Sequence, residues 1–159
     1  MRLWLLRHGI AVDREDPSCP PDPDRFLTPL GIKRTRAAAR GLKAAGVRPD
    51  LVVTSPYRRA METAAIAAEE TGYRGELVRA EALLPSADPA ALLAWLASRE
   101  EAGVLCAGHA PHLDLLIARA VGHPRVFTEL KKAGCACLEW SPGGGRLLWL
   151  LGPRLLRRL

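Results

Sequence analysis

Long apolar runs are missing from this chain. Leu3-Trp4-Leu5-Leu6 is hemmed in by Arg2 and Arg7, and no stretch approaches the ~20 apolar residues that a membrane-spanning helix needs. The start lacks the layout of a signal peptide, and the expectation is a cytoplasmic protein. Cysteine is sparse as well: Cys19, Cys106, Cys135 and Cys137 are the four. One C-x-C with two distant partners matches no zinc-ligand spacing, and cytosolic chains rarely form disulfides. All four are expected reduced, with Cys106 a small core residue. Aromatic residues make up only 5% of the chain, and Trp4, Trp95, Trp140 and Trp149 fall in apolar patterns that suit a core. With neither a stacking platform nor a reader motif, nucleic acid is not expected as a partner, nor is a membrane. Paired aspartates and a Walker-type glycine-rich loop for magnesium are absent too. His109 and His112 are spaced like a metal pair, but no third ligand accompanies them by motif. Neither a metal nor another cofactor is expected.

What the chain does contain is ordinary in amount and unusual in kind. Its 159 residues are 48% apolar and 25% charged, enough to bury one core, so a single domain spanning 1–159 is expected. The net charge is +6, carried by nineteen arginines against four lysines. Compositional bias or a heat-stable surface would produce this, and so would an anionic partner.

Apolar runs and caps set out the elements. Leu3–Leu6, Leu51–Thr54, Glu76–Arg79 and Gly103–Ala107 read as strands, the first, second and fourth of them buried. Thr28-Pro29 opens a helix to about Ala45, stopped at Gly46. Ser55-Pro56 caps a second helix, ending near Gly72. Asp88-Pro89 opens a third, and Pro111 a fourth to about Val121. Cys135–Trp140 and Arg146–Leu150 form a final strand pair, joined by a loose glycine loop at 142–145. Alternating strands and helices predict an α/β fold, a three-layer α/β/α sandwich whose central sheet is mainly parallel with helices on both faces.

In such sheets ligands bind beyond the carboxyl ends of the strands. Three reactive segments fall there: Arg7-His8-Gly9, Ser55-Pro56-Tyr57-Arg58-Arg59-Ala60-Met61-Glu62-Thr63, and Gly108-His109. Together they bring two imidazoles and at least two guanidiniums to one edge. Guanidinium forks grip phosphoryl oxygens, and a neutral imidazole in line with phosphorus can attack it. Phosphoryl transfer asks mainly for positioning and charge stabilisation, which arginines supply.

With Leu27-Thr28-Pro29-Leu30-Gly31 added, four segments in this order resemble the histidine phosphatase superfamily, the phosphoglycerate-mutase-like proteins, over nearly the whole chain. The short length and Leu84-Pro85-Ser86-Ala87-Asp88 look like the SixA-type phosphohistidine phosphatases. The resemblance implies that His8 is the phosphorylated nucleophile and that Arg7, Arg59 and His109 form the phosphate pocket. Arg59 is preferred to Arg58 on the family spacing Ser-Pro-x-x-Arg-Ala. His8 must be neutral to attack, its pKa depressed by the surrounding cations, whereas His109 is wanted charged once phosphate binds. A pH–rate profile that varies between about pH 5 and 8 is therefore expected.

Larger members of the family carry a lid and a carboxylic general acid between the third and fourth strands. Here only 80–102 fills that gap, which implies a shallow, open pocket. Glu81 is the best-placed proton donor by order in the chain, with Asp88 next. Phosphohistidine tolerates a missing acid, because its leaving imidazole can be protonated beforehand. The expected function is thus hydrolysis of phosphohistidine on a partner protein. The alternatives are a phosphate monoester hydrolase of the same superfamily acting on a small metabolite, and a non-catalytic phosphate-binding module. Thr28 is read as a cap, and Thr63 as bonding back to its own helix.

Overall fold

The computed structural model describes residues 1–159. Six strands form one sheet: β1 (Arg2–Arg7), β2 (Leu51–Thr54), β3 (Val78–Arg79), β4 (Gly103–Gly108), β5 (Cys135–Ser141) and β6 (Gly144–Leu151), in the order β3-β2-β4-β1-β5-β6. The neighbours β3–β2, β2–β4 and β4–β1 run parallel; β1–β5 and β5–β6 run antiparallel. The helices are α1 (Pro29–Ala44), α2 (Arg58–Thr71), α3 (Pro89–Ala97), α4 (His112–Ala120) and the short α5 (Pro153–Leu156).

Successive side chains of a strand point to opposite faces, and both faces here are apolar because both are covered. From β1 and β4, Leu3, Leu5, Val104 and Cys106 join Leu92 and Leu96 of α3 and Leu113, Leu116 and Ile117 of α4. Trp4, Leu6, Leu105 and Ala107 join Leu42 of α1, Ala64 and Ala67 of α2 and Leu156 of α5. The result is the three-layer α/β/α sandwich.

The chain leaves β1 toward α1 on one face and β4 toward α4 on the other. A crevice therefore opens between the tips of two adjacent parallel strands, the usual ligand position in such sheets. Register finishes the placement. Arg7 pairs with Gly108 and Thr54 with Ala107. The His8 N–H then donates to the Gly108 carbonyl at 2.9 Å, and the Ser55 N–H to the Ala107 carbonyl at 3.0 Å. His8, Ser55 and His109 consequently stand side by side.

Most expected boundaries hold to within a residue or two, because caps mark them. Thr28 Oγ1 accepts from the Gly31 N–H at 2.9 Å, Asp88 caps α3, and Gly46 and Gly72 take left-handed φ after α1 and α2. Three details differ. The cap of α2 is Tyr57, with no side-chain bond, because Ser55 is engaged elsewhere. The third strand shrinks to Val78–Arg79, which has only β2 to pair with. The glycine loop is a tight two-residue turn, since Ser141 already pairs with Gly144.

Candidate active site

His8 is buried at the tip of β1 with its orientation fixed by its neighbours. Its Nδ1–H donates to the Gly9 carbonyl at 2.7 Å, which leaves Nε2 unprotonated, and the lone pair of that nitrogen accepts from Arg59 Nε–H at 3.3 Å. Gly9 is required at the turn by close packing, and its backbone N–H anchors it. A Cβ there would come within 2.1 Å of Thr35 Oγ1, and the Gly9 N–H donates to Thr63 Oγ1 at 3.1 Å. Thr63 in turn donates to the Arg59 carbonyl at 2.7 Å. One hydroxyl thus ties the β1 tip to the turn that carries Arg59. Gly31 lets α1 press on the same segment, as a Cβ there would meet the Ile10 carbonyl oxygen at 2.0 Å.

Arg7, Arg59 and His109 gather around His8. Arg7 Nη1 donates to the Leu130 carbonyl at 2.7 Å. Arg59 is buried, and its Nη1 donates to the Asp22 carbonyl at 2.7 Å while Nη2 lies 3.5 Å from the Asp22 carboxylate. The His8 and His109 rings are 5.3 Å apart between centroids. His109 Nε2 lies 2.8 Å from Ser55 Oγ, which already accepts from the Tyr57 N–H at 3.3 Å. The hydroxyl proton then has Nε2 as its acceptor, which puts the ring proton of His109 on Nδ1. That nitrogen has no partner within the protein.

The cavity over these residues has a volume of about 710 Å³, and five of its lining residues are cationic: Arg7, Arg14, Arg25, Arg59 and Lys132. Its wall is the loop after β1. From the 80–102 segment only Pro85 reaches it. The expected proton donor does not: Glu81 is exposed at the start of a short 3-10 turn and lies outside the lining, because that turn buries Leu83 instead. Asp88 is occupied as the cap of α3, accepting from the Ala90 N–H. Three carboxylates do line the cavity, Asp13, Glu15 and Asp22; the first two are exposed, and Asp22 is held by Arg59, Arg25 and Arg14. Asp22 and Lys132 carry no motif that announces them, and Ser55 and Thr63, though they lie within the Ser55–Thr63 segment, carry no sign there of their bonds to His109 and Gly9.

Burial sets the protonation states. It pushes His8 down to about 3; the Gly9 carbonyl opposes this, and the charges of Arg59, Arg7 and Lys132 add to it. Burial likewise pushes His109 to about 3, with help from His8, Arg59 and His112. The neutral His8 expected from the sequence is therefore present, with desolvation ahead of the cations as its cause. His109 is thus neutral as well, so neither His8 nor His109 is expected to titrate between pH 5 and 8 in the free protein. Burial also pushes the Asp22 carboxyl up. The Arg25 hydrogen bond and the charges of Arg59, Arg14 and Arg25 outweigh it and hold Asp22 below the usual carboxylate range.

Comparison with known proteins adds a lineage to this geometry. Residues 3–84 match the family model of the histidine phosphatase superfamily (branch 1). An uncharacterized protein of Picosynechococcus sp. is 39% identical over 139 residues, covering 84% of this chain and 82% of its own. Phosphohistidine phosphatase SixA of Escherichia coli is 29% identical, covering 96% of this chain and 94% of its own. A solved structure of the protein histidine phosphatase SixA complexed with tungstate has the same fold. Its TM-score is 0.88 at 24% identity, with 98% of this chain and 99% of that one covered.

Proposed function

As the chain belongs to the histidine phosphatase superfamily, we propose that it removes the phosphoryl group from phosphohistidine on a partner protein, through a covalent intermediate on His8 that needs no metal. The observation that carries the reading is the His8 ring, neutral and lining the cavity, with Nδ1–H anchored on the Gly9 carbonyl and an unprotonated Nε2 whose bond from Arg59 gives way when it attacks phosphorus. In the first step Nε2 attacks phosphorus as the P–N bond of the substrate breaks. The substrate imidazole keeps the proton on its other nitrogen and leaves neutral. In the second step water attacks phosphorus and the bond to His8 breaks. Phosphate departs as dihydrogen phosphate, with both protons of the water. Arg7, Arg59 and His109 hold the phosphoryl oxygens through both steps, and Arg59 exchanges Asp22 for the phosphate.

Neither step needs a carboxylic acid. This matters because Asp22, gripped by arginines, is a poor proton donor, and the cavity offers no buried carboxyl of the kind that stays protonated near neutrality. An alkyl phosphate ester would require such a donor. The likeness to phosphohistidine phosphatase SixA over nearly the full length supports the same substrate class.

The test compares hydrolysis of a phosphohistidine-bearing protein with a panel of small phosphate esters, in EDTA, for wild type and His8→Ala. Rapid loss of phosphohistidine, slow ester turnover and an inactive variant are expected. Strong turnover of one ester would move the substrate to a small metabolite. Full activity in His8→Ala would remove the nucleophile.

A further inference from the structure

A second cavity adjoins the catalytic one, and its walls are as basic. It has a volume of about 500 Å³ and lies between α1, the turn before β5 and α5; Arg7, Arg34, Thr35, Lys131, Lys132 and Arg157 line it. Arg7, Ile10 and Lys132 are common to both cavities, so the two are contiguous. No carboxylate lines it. Of its cations only Lys131 is paired, with Glu129; Arg7, Arg34, Lys132 and Arg157 have no ion-pair partner.

Like charges gathered around a partly enclosed space repel one another and gain from an anion that enters. Lys132 registers the strain: burial, then Arg7 and Arg25, lower its pKa. The backbone is held against its preference too. Ala133 takes a φ of 59°, a region that non-glycine residues rarely adopt, and its N–H donates to the carbonyls of both Arg7 and His8. That strained turn is what brings Lys131 and Lys132 to the cavity mouth while gripping the nucleophile's strand.

Building on the phosphohistidine reading, we propose that this cavity is a second oxyanion site, which receives an acidic side chain flanking the phosphorylated histidine of the substrate. It would select substrates by a carboxylate placed beside the phosphoryl group, with Arg34 and Arg157 as its dedicated cations. Neither of these lines the catalytic cavity.

Two measurements on wild type and Arg34→Gln/Arg157→Gln test this. The first is independent of turnover: calorimetric titration with inorganic phosphate at low ionic strength. Two sites in wild type and one in the double variant are expected; a single site in wild type overturns the proposal whatever the enzyme hydrolyses. The second compares kcat/KM for a phosphohistidine peptide with a flanking Glu, the same peptide with Gln, and phosphoramidate. Wild type is expected to prefer the Glu peptide by about tenfold, one anionic contact of ~1.4 kcal/mol. The double variant loses that preference and keeps its rate on phosphoramidate. Equal rates on the two peptides in wild type, or equal slowing on all three substrates in the variant, overturn it. If phosphate stoichiometry falls from two to one but no phosphohistidine is hydrolysed, the site stands and the substrate reading falls.

Discussion

From the first turn of α2 the Arg59 guanidinium reaches His8 and Asp22, whereas its neighbour Arg58 turns outward to Glu62 and lies over the Phe26 ring. The two residues are one helical step of about 100° apart, and only one can face the cavity. Arg59→Ala is expected to lower kcat/KM on phosphohistidine by roughly 10²–10³-fold, the usual loss for one donor to a phosphoryl or oxyanion group. Arg58→Ala should stay within roughly twofold, as for other exposed substitutions. Steady-state kinetics on the two variants decide between them. A second expectation concerns protons. With His8 and His109 both near 3, their rings are neutral above about pH 5 in the free protein. Their ring carbon resonances should hold steady in an NMR titration from pH 8 to 5 and move only as the pH falls toward 3. Bound phosphate, a dianion, should raise the His109 transition and carry it upward in pH. A His8 midpoint near 6.5 in the free protein would contradict the assigned nucleophile state. The choice of Arg59 came from the resemblance, through the family spacing Ser-Pro-x-x-Arg-Ala, whereas the places of His8 and His109 after buried apolar runs were legible in the chain itself. Asp22 was not legible. It meets Arg59 across 37 positions of sequence, through a loop of Pro, Asp and Ser whose course no periodicity describes.

Helices and strands announce themselves through caps, glycine stops and apolar runs, which are local signals. Thr28, Asp88, Gly46 and Gly72 therefore mark their boundaries correctly. Side chains recruited by tertiary contact give no such signal. Thr63 bonds back to its own helix as its position suggests, yet the same oxygen takes the Gly9 N–H from 54 residues away. Ser55 has the look of a helix cap and instead serves His109. Thr63→Val keeps the volume but leaves the buried Gly9 N–H without a partner, at a cost of roughly 1–3 kcal/mol. Chemical denaturation should record that loss. kcat should fall with it, because the β1 tip and the Arg59 turn lose their shared clamp. Thr63→Ser restores the hydroxyl and is expected to recover most of both. If Thr63→Val loses stability but keeps full kcat, the clamp does not position the nucleophile.

Three of the four histidines lie inside the molecule: His8, His109 and His112. The packing of both layers onto one sheet makes their neutrality a condition of folding. Burial is the first cause of lowered pKa in each, and for His112 the charge of Asp88 opposes it only in part. A group whose native pKa lies below its unfolded value binds fewer protons when folded. Stability is then complete above the unfolded value of about 6.5 and declines as pH falls through the window toward the native value. Each such histidine contributes a slope of up to ~1.4 kcal/mol per pH unit in that window. Two or three acting together would exhaust a stability of roughly 5–15 kcal/mol within a few units. Acid unfolding is thus expected to begin below pH 6.5, above the range in which carboxylates protonate. His112 offers the cleanest test, since it lies outside the catalytic cavity and neither ring nitrogen has a hydrogen-bond partner. His112→Leu replaces an unsatisfied buried ring by an apolar group. It should raise stability at pH 7 by roughly 1–3 kcal/mol and reduce the steepness of the pH dependence below 6.5 by about one proton's worth. Urea midpoints at pH 7, 6, 5 and 4 for wild type and variant measure both effects. Parallel curves across that range would mean that His112 gains a proton as readily in the folded chain as in the unfolded one, and that burial does not hold it neutral.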